Sequence, residues 1–327
     1  VSADGPFISY AQNAEDVVLW RALGQVPAGR YVEVGANHPT TSSITRAFYD
    51  RGWRGIEIEP VTAFVEAYRS ERPGDTVVQA AITADDVDSV VVHVVAGTGL
   101  STLDDSIIER HRADGWEAND EIVPARTLDD VLDEHLTVQD PIHFMVVDVE
   151  GSEATVLESV DLDRWRPWVL VVEATAPNST TQTHAEWESI VVGAGYEFCL
   201  FDGLSRFYVA AEHAAEMRPH LVSPANPLDV FVTHDAVVVE ARLRDQEARI
   251  TRLERERREA LEDLIRWRGT VLSRWAAAAS GGTSTSGAPT HEVVRLREEL
   301  EAIRETVSWR VTAPLRTVQK RRLEGRR

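Results

Sequence analysis

Residues 31–39, YVEVGANHP, constrain this chain more than any other stretch. Tyr31, Val32, Glu33 and Val34 suit a pleated, half-buried surface and the run stops at Gly35, so a short buried strand and a tight turn are expected, with a helix to follow. In an open α/β sheet the first strand-to-helix turn is where a nucleotide-like ligand meets backbone amides, and glycine lets the backbone come close to it. A generic strand end is the competing reading, because one glycine stands where a dinucleotide fingerprint has three.

The downstream strands carry the argument further. Residues 55–60, GIEIEP, read as the second strand, ending in Glu59, where a carboxylate can accept hydrogen bonds from the two hydroxyls of a ribose. Residues 76–82, TVVQAAI, read as the third, with Gln79 and Ala81 near its end as candidates to face a nucleobase. In residues 143–153, HFMVVDVEGSE, an apolar strand runs directly into Asp148, Glu150, Gly151 and Glu153, which sets acid/base groups at the carboxyl edge of the sheet. Residues 169–174, VLVVEA, form the fifth strand and end near Glu173. Helices are expected over 10–23, from the hydroxyl-rich 40–43 through Tyr49, and over 61–70, 127–134 and 184–193. Residues 89–96 read as a buried strand, 97–103 as a turn, and 104–124 as either a lid or a plain surface insertion. A hairpin of 197–202 with 205–210 across Gly203 closes the pattern. Strands alternating with helices give an α/β fold with a doubly wound, mostly parallel sheet.

Taken in order, SYAQNAEDVVL (9–19), YVEVGANHP, GWRGIEIEP (52–60), GLSTL (99–103), MVVDVEGSEATVL (145–157) and RWRPWVLVVEA (164–174) closely resemble the FkbM family of S-adenosylmethionine-dependent methyltransferases, over residues 7–212. The resemblance implies a Rossmann-like methyltransferase sheet, S-adenosylmethionine as cofactor, and a cofactor cleft built on Glu33, Gly35, Asn37, Glu59, Ala81 and Ser101. It implies that the opening segment lies over that cleft; the alternative for Gln12, Asn13, Glu15 and Asp16 is a solvated helix start. It also implies O-methylation of a sugar hydroxyl in a glycan, a glycolipid or a glycosylated natural product, with N-methylation as the other option. A methyltransferase-like scaffold that recruits glycan-assembly enzymes is the reading from a different class.

Methyl transfer to an alcohol is an in-line displacement that needs positioning and a proton acceptor. Asp148 is the first candidate base and His38, in the first turn, the alternative. A second arrangement is a divalent cation, Mg2+, held by Asp148 and Glu173 at adjacent strand ends, which lowers the pKa of the acceptor hydroxyl. Glu150 and Glu153 have a plainer role open to them, at the positive end of a helix dipole. His111, His143 and His184 show no ligand spacing; His143, at a strand start, reads as structural and the other two as exposed.

Composition narrows the partners. Residues 1–235 carry 14 Arg against 40 Asp and Glu, and residues 236–327 carry 20 Lys and Arg against 14 Asp and Glu. So acidic a catalytic region repels nucleic acid, which is excluded as methyl acceptor. The single cysteine, Cys199, sits in an apolar run and reads as a buried structural thiol. No signal peptide or membrane-length apolar run is visible, so a soluble, cytoplasmic protein is expected.

Past residue 235 the pattern changes. Val239, Leu243, Gln246, Ile250, Leu253, Arg257, Ala260, Leu264, Trp267 and Val271 follow alternating steps of four and three, the seam of a coiled coil over 236–279. A single solvated helix is the competing reading. Residues 280–290 read as a flexible linker, and 291–327 as a second helix, with Val293, Leu296, Leu300, Ile303 and Val307 in heptad steps, followed by a basic tail. The two helices can pair within one chain or between chains, giving a homodimer. The end, residues 308–322, resembles a tail found on glycosyltransferases and other surface-polysaccharide assembly proteins, which implies a partner of that kind. Trp309 and its neighbouring arginines fit peripheral contact with an anionic membrane, and a solvated tail is the alternative.

Overall fold

The computed structural model describes residues 6–95, 101–103, 105–113, 115–280 and 291–305. The chain divides into two compact units, Val1–Asp245 and Gln246–Arg327. The first begins with β1 (Phe7–Ser9), α1 (Glu15–Leu23), β2 (Arg30–Val34), α2 (Arg46–Tyr49), β3 (Arg54–Ile58), α3 (Thr62–Glu71) and β4 (Thr76–Val78). Next come β5 (Ala81–Ile82), β6 (Ser89–Val94), α4 (Asp105–Ala113), β7 (Asn119–Arg126), α5 (Leu128–His135), β8 (Phe144–Val147), α6 (Glu153–Glu158) and α7 (Leu162–Trp165). It closes with β9 (Val169–Glu173), α8 (Glu188–Gly193), β10 (Tyr196–Phe201), β11 (Ser205–Ala210), α9 (Ala211–Leu221) and β12 (Phe231–Thr233). The helix α10 (His234–Ser280) follows, and α11 (His291–Glu305) lies in the second unit.

Seven strands form the main sheet in the order β10-β11-β9-β8-β2-β3-β4. All pairings are parallel except the two made by β11, which runs antiparallel to both β9 and β10. Strand order reverses between β2 and β8: β3 and β4 extend to one side, β8 and β9 to the other. A crevice at the carboxyl ends of β2 and β8 is where ligands settle in such sheets.

Both faces of the sheet are covered, as parallel strands require. Val32, Val34, Ile56, Ile58, Met145, Val147, Leu170 and Val172 enter one apolar cluster, while Tyr31, Phe144, Val146, Val169 and Val171 enter another, because successive side chains alternate faces. That alternation puts Glu33 and Glu57 on the second face, directly opposite each other in register. Two like charges in that position repel. Arg72, at the end of α3 and fully buried, binds Glu57 and Asp75 and donates to Tyr31 Oη at 2.8 Å, while Thr45 Oγ1 lies within hydrogen-bond reach of both Glu33, at 2.6 Å, and Glu57, at 2.9 Å. Burial holds both glutamates well above the usual carboxylate range.

Several elements depart from the sequence-based expectations. The helix expected over 10–23 begins only at Glu15: Asp16 accepts hydrogen bonds from Ser9 Oγ and the Tyr10 N–H, and Ala14 turns left-handed at φ 60°. Glu15 and Asp16 are buried, not solvated. The helix expected to run from the hydroxyl cluster is the single turn α2, whose first N–H is met by Ser43 Oγ. The third strand splits: β4 stays at the edge of the main sheet, whereas β5 leaves it to pair with β7. The 89–96 strand ends at Val94, with Ser89 and Val91 exposed and Val90 half-buried. Residues 104–124, expected as a lid or insertion, contain α4 and β7; Ile107 and Ile108 are buried, and β7 joins β5 and β6 in a three-stranded sheet. β1 and β12 form a further two-stranded parallel sheet that the sequence did not announce.

His143 is structural: its Nδ1 accepts the Arg30 N–H at 2.9 Å and its ring packs between Trp53 and Trp168. His184 is half-buried and lies 3.9 Å from Glu188, and the His111 side chain lies outside the described residues. Cys199 is half-buried, with its thiol pushed up to about 11 by burial. On α10 the seam side chains Val239, Leu243, Ile250, Leu253, Leu264 and Trp267 are exposed, so the helix expected over 236–279 is present, with no partner helix on this face among the described residues. The linker after Ser280 and the basic tail lie outside the described residues, as do the heptad side chains Val293, Leu296, Leu300, Ile303 and Val307 of the second run. Among the described residues no helix is long and apolar enough to cross a membrane.

Candidate active site

The cleft begins where β2 stops. The Gly35 and Ala36 N–H groups both donate to Ile58 O, and the Asp148 N–H donates to Val34 O, so the ends of β2, β3 and β8 are tied together. Gly35 has φ +82°, and a Cβ there would lie 1.7 Å from the Asp148 carbonyl oxygen. Only glycine fits this turn, for both its backbone angle and its space.

Asn37, at φ 50°, turns its N–H onto Glu59 Oε2 at 2.7 Å, and Val61 N–H meets Glu59 Oε1 at 2.8 Å. Burial still pushes Glu59 up to about 7. Opposite stands an apolar wall of Val61, Phe64, Ala81, Val92 and Leu103, built by the start of α3 and the three-stranded sheet. Ser101 and Thr102 close this side, and Thr102 Oγ1 donates to Glu150 O at 3.1 Å. The chamber encloses about 970 Å³ of atom-free space, its open mouth included.

A second chamber adjoins the first and shares Gln12, Ser42, Ile44, Asp148 and Glu150 with it. Its other walls are Glu15, Glu173, Thr175, the 178–180 loop and the Leu204–Ser205 turn. Among the described residues, neither chamber is lined by Lys, Arg or His. At their junction Asp148, Glu150 and Glu173 bring carboxylate oxygens within 4.8 Å of one another. Glu150 reaches this position because the chain turns left-handed there, at φ 52°, before α6 begins.

Three carboxylates this close cannot all be charged in a dry site. Burial, then Asp148, pushes Glu150 up to about 8, and Glu173 rises furthest, through burial and the charges of Asp148 and Glu150. Asp148 rises through burial, with the Glu173 carboxyl beside it lowering it in part. Glu150 Oε2 and Glu173 Oε2 are buried and have no hydrogen-bond partner among the described residues. All-oxygen donors with two unmatched atoms fit a hard divalent cation as well as a shared proton.

The sequence-derived candidates fall into groups. Gly35, Asn37, Glu59, Ala81 and Ser101 line the first chamber, Glu173 the second, and Asp148 both. Glu33 also borders the first, but its carboxyl is engaged by Thr45. His38 lines neither: its Nδ1 accepts the N–H groups of Thr40 and Thr41, both at 3.1 Å, and so closes the turn. Gln79 is likewise absent from both linings, its amide bound to Pro60 O and Thr62 Oγ1. Glu153 accepts the Gly151 N–H at 3.0 Å and shapes the turn that carries Glu150. Sequence reasoning passed over Phe64, Val92 and Leu103, which are ordinary apolar residues until β6 and β7 assemble into a wall, and it left Glu150 open between an acid/base group at the strand end and a helix start; its carboxylate lies at the junction.

A profile of the methyltransferase FkbM domain matches residues 33–198, just over half of the 327 residues. Among solved structures, the chain is similar to an FkbM methyltransferase from Methylobacillus flagellatus KT, at 14% identity and a TM-score of 0.33, covering 56% of this chain and 44% of that one. It is also similar to a TehB-like SAM-dependent methyltransferase from Corynebacterium glutamicum ATCC 13032 Kitasato, at 8% identity and a TM-score of 0.33, covering 59% and 87%. The chain thus spans less than half the length of the first of these structures. No curated protein matches it.

Proposed function

The chain belongs to the FkbM methyltransferase family, and from that premise we propose that it is an S-adenosylmethionine-dependent O-methyltransferase acting on a sugar hydroxyl of a glycan, a glycolipid or a glycosylated natural product. The observation that carries this reading is the meeting of two chambers, one apolar-walled and one acidic, at Asp148 and Glu150. The residues fit the cofactor by their chemistry. The Val61, Phe64, Ala81 and Val92 wall suits an adenine ring, and Glu59 keeps lone pairs for ribose hydroxyls. Carboxylates without a cationic neighbour suit a sulfonium and an ammonium.

When bound, the cofactor supplies an electrophilic methyl group. The acceptor oxygen then needs a base within hydrogen-bond reach, and a carboxylate whose pKa is raised toward neutrality is a better base than an ordinary one. Asp148 takes that role: Glu173 holds the shared proton and orients Asp148, which accepts the proton of the acceptor hydroxyl. Asp148, Glu150 and Glu173 would also hold Mg2+, whose charge lowers the pKa of a bound hydroxyl. With no Lys, Arg or His among the described residues that line the second chamber, a neutral polyol is favoured over a phosphorylated acceptor.

The test is calorimetric titration with S-adenosylhomocysteine, on the wild type and on Glu59→Ala. Saturable binding weakened at least tenfold in the variant is expected, followed by screening of sugar acceptors with Mg2+ or with EDTA. A folded wild type that binds no S-adenosylhomocysteine would refute the assignment.

A further inference from the structure

Among the described residues, the helix α10 leaves a long apolar face uncovered. Leu243, Ile250, Leu264 and Val271 recur at one heptad position, and Val239, Leu253 and Trp267 at the other, with Ile250, Leu253, Leu264 and Trp267 each about half exposed or more. The charges beside this seam are not random. In a parallel coiled coil, the residue preceding the first seam position of one helix faces, on its partner, the residue that follows the second seam position. The preceding positions are Arg242, Arg249, Glu256 and Asp263; the following ones are Glu247, Glu254, Leu261 and Arg268.

Paired with an identical copy in register, Arg242 would face Glu247, Arg249 would face Glu254, and Asp263 would face Arg268, each twice by symmetry. Within the chain, α10 satisfies other charges along its own axis, pairing Arg244 with Glu240, Arg252 with Glu256, Arg255 with Glu259 and Arg266 with Asp263. Arg242, Glu247, Arg249 and Glu254 make no such pair among the described residues, and all four are exposed. Among the α10 charges without such a pair, these four are ones that a second copy in register would match.

We propose that α10 is the interface of a parallel, in-register homodimer, closed by the Ile250, Leu253, Leu264, Trp267 and Val271 seam and aligned by Arg242–Glu247 and Arg249–Glu254 pairs between chains. The β-branched Ile250 at the first seam position and Leu253 at the second favour two strands over three or four. Gln246 and Arg257 interrupt the seam, which weakens it and fixes the register: a slip of one heptad would set Arg257 against Ile250 or Leu264, whereas in register each polar residue faces its own copy. The inference is independent of the methyl-transfer reading, because it uses no residue of the cleft.

Sedimentation equilibrium of the full chain tests it. A species of twice 36.4 kDa is expected, reduced to 36.4 kDa in the double variant Ile250→Asp, Leu253→Asp. Because these side chains are exposed, the catalytic unit should keep its circular dichroism and melting temperature. Arg249→Glu alone should raise the dimer dissociation constant by about tenfold, two attractions becoming two repulsions, and adding Glu254→Arg should restore it. Orientation is read from Val271→Cys in a Cys199→Ser background: parallel packing brings the two introduced thiols within disulfide reach, and antiparallel packing holds them apart. A monomer at every concentration would overturn the proposal and leave the seam to another occupant, the chain's own α11 included. A dimer that fails to cross-link, a larger oligomer, or a charge swap without rescue would overturn it too.

Discussion

Replacing Gly35 with alanine separates two costs that the structure sets apart. The left-handed backbone at φ +82° costs an L-residue about 1–2 kcal/mol. The added Cβ would stand 1.7 Å from the Asp148 carbonyl oxygen, and since real contacts do not fall below 3.0 Å, the ends of β2 and β8 must part by more than 1 Å. Overpacking of this kind adds roughly 1–3 kcal/mol. Gly52 is the internal control: its φ is +91°, but a Cβ there meets nothing within 4 Å, so Gly52→Ala carries the backbone cost alone. For a domain of this size the total for Gly35→Ala, about 2–5 kcal/mol, lowers the melting temperature by roughly 4–20 °C. The displaced Asp148 backbone also deforms the cleft, so S-adenosylhomocysteine affinity should fall by about tenfold or more, on the order of 1.4 kcal/mol, while Gly52→Ala leaves it unchanged. The assay is thermal unfolding by circular dichroism together with calorimetric titration. If Gly35→Ala melts no lower than Gly52→Ala and binds ligand equally well, the close approach of the two strand ends does not shape the cleft.

Asp148→Asn should lower turnover by about 10²–10⁴-fold, with S-adenosylhomocysteine affinity changed less than about threefold; full activity in single-turnover assays would remove Asp148 as the base. Arg72→Met should destabilise the fold by about 3–5 kcal/mol, because it strands Glu57 and Asp75 without their buried cation; urea unfolding measures it, and a loss under about 1 kcal/mol would contradict the network. Burial raises Glu59 to about 7, Glu15 to about 8 and Asp16 to about 6, so the folded state binds protons that the unfolded state has released. Their contribution is complete below about pH 4 and is lost as pH rises through 6–8. Ligand-free protein should therefore melt progressively lower between pH 5 and pH 8, with Glu59→Gln flattening the curve, and a melting temperature that rises over that range would reverse the sign.

The central sheet was legible because its strands are apolar on both faces. Phe144 to Val147 can only be interior, and Tyr31 to Val34 stop at a glycine for a steric reason that the sequence already exposes. β7 was not legible, because NDEIVPAR buries only Val123 and carries a proline, so nothing in its pattern separates it from a loop until β5 and β6 pair with it. The split of TVVQAAI between two sheets is invisible for the same reason: pairing partners, not propensity, decide where Ala81 and Ile82 go. β1 and β12 are three residues each and find one another across more than 200 positions of chain, beyond the reach of local patterning. In the candidate site, Asp148 and Glu173 could be placed together because they end adjacent parallel strands. Glu150 could not, since its place depends on a left-handed turn at a non-glycine residue. His38 looked available because the sequence conceals that its ring nitrogen closes its own turn.

The Glu33, Glu57 and Arg72 arrangement also dictates an order of events during folding. β2 and β3 can meet in register only by pressing two carboxyls together as water leaves, and the guanidinium that relieves this arrives from the far end of α3. The first parallel pair of the sheet is therefore expected to finish zipping only once the helix after it has formed and swung into place. Strand, helix, strand and helix from Arg30 to Asp75 assemble as one kinetic unit instead of strand by strand. Arg72→Met should accordingly slow refolding about as strongly as it lowers stability, with a φ-value near one. A value near zero would mean that the arginine docks only after the barrier is passed.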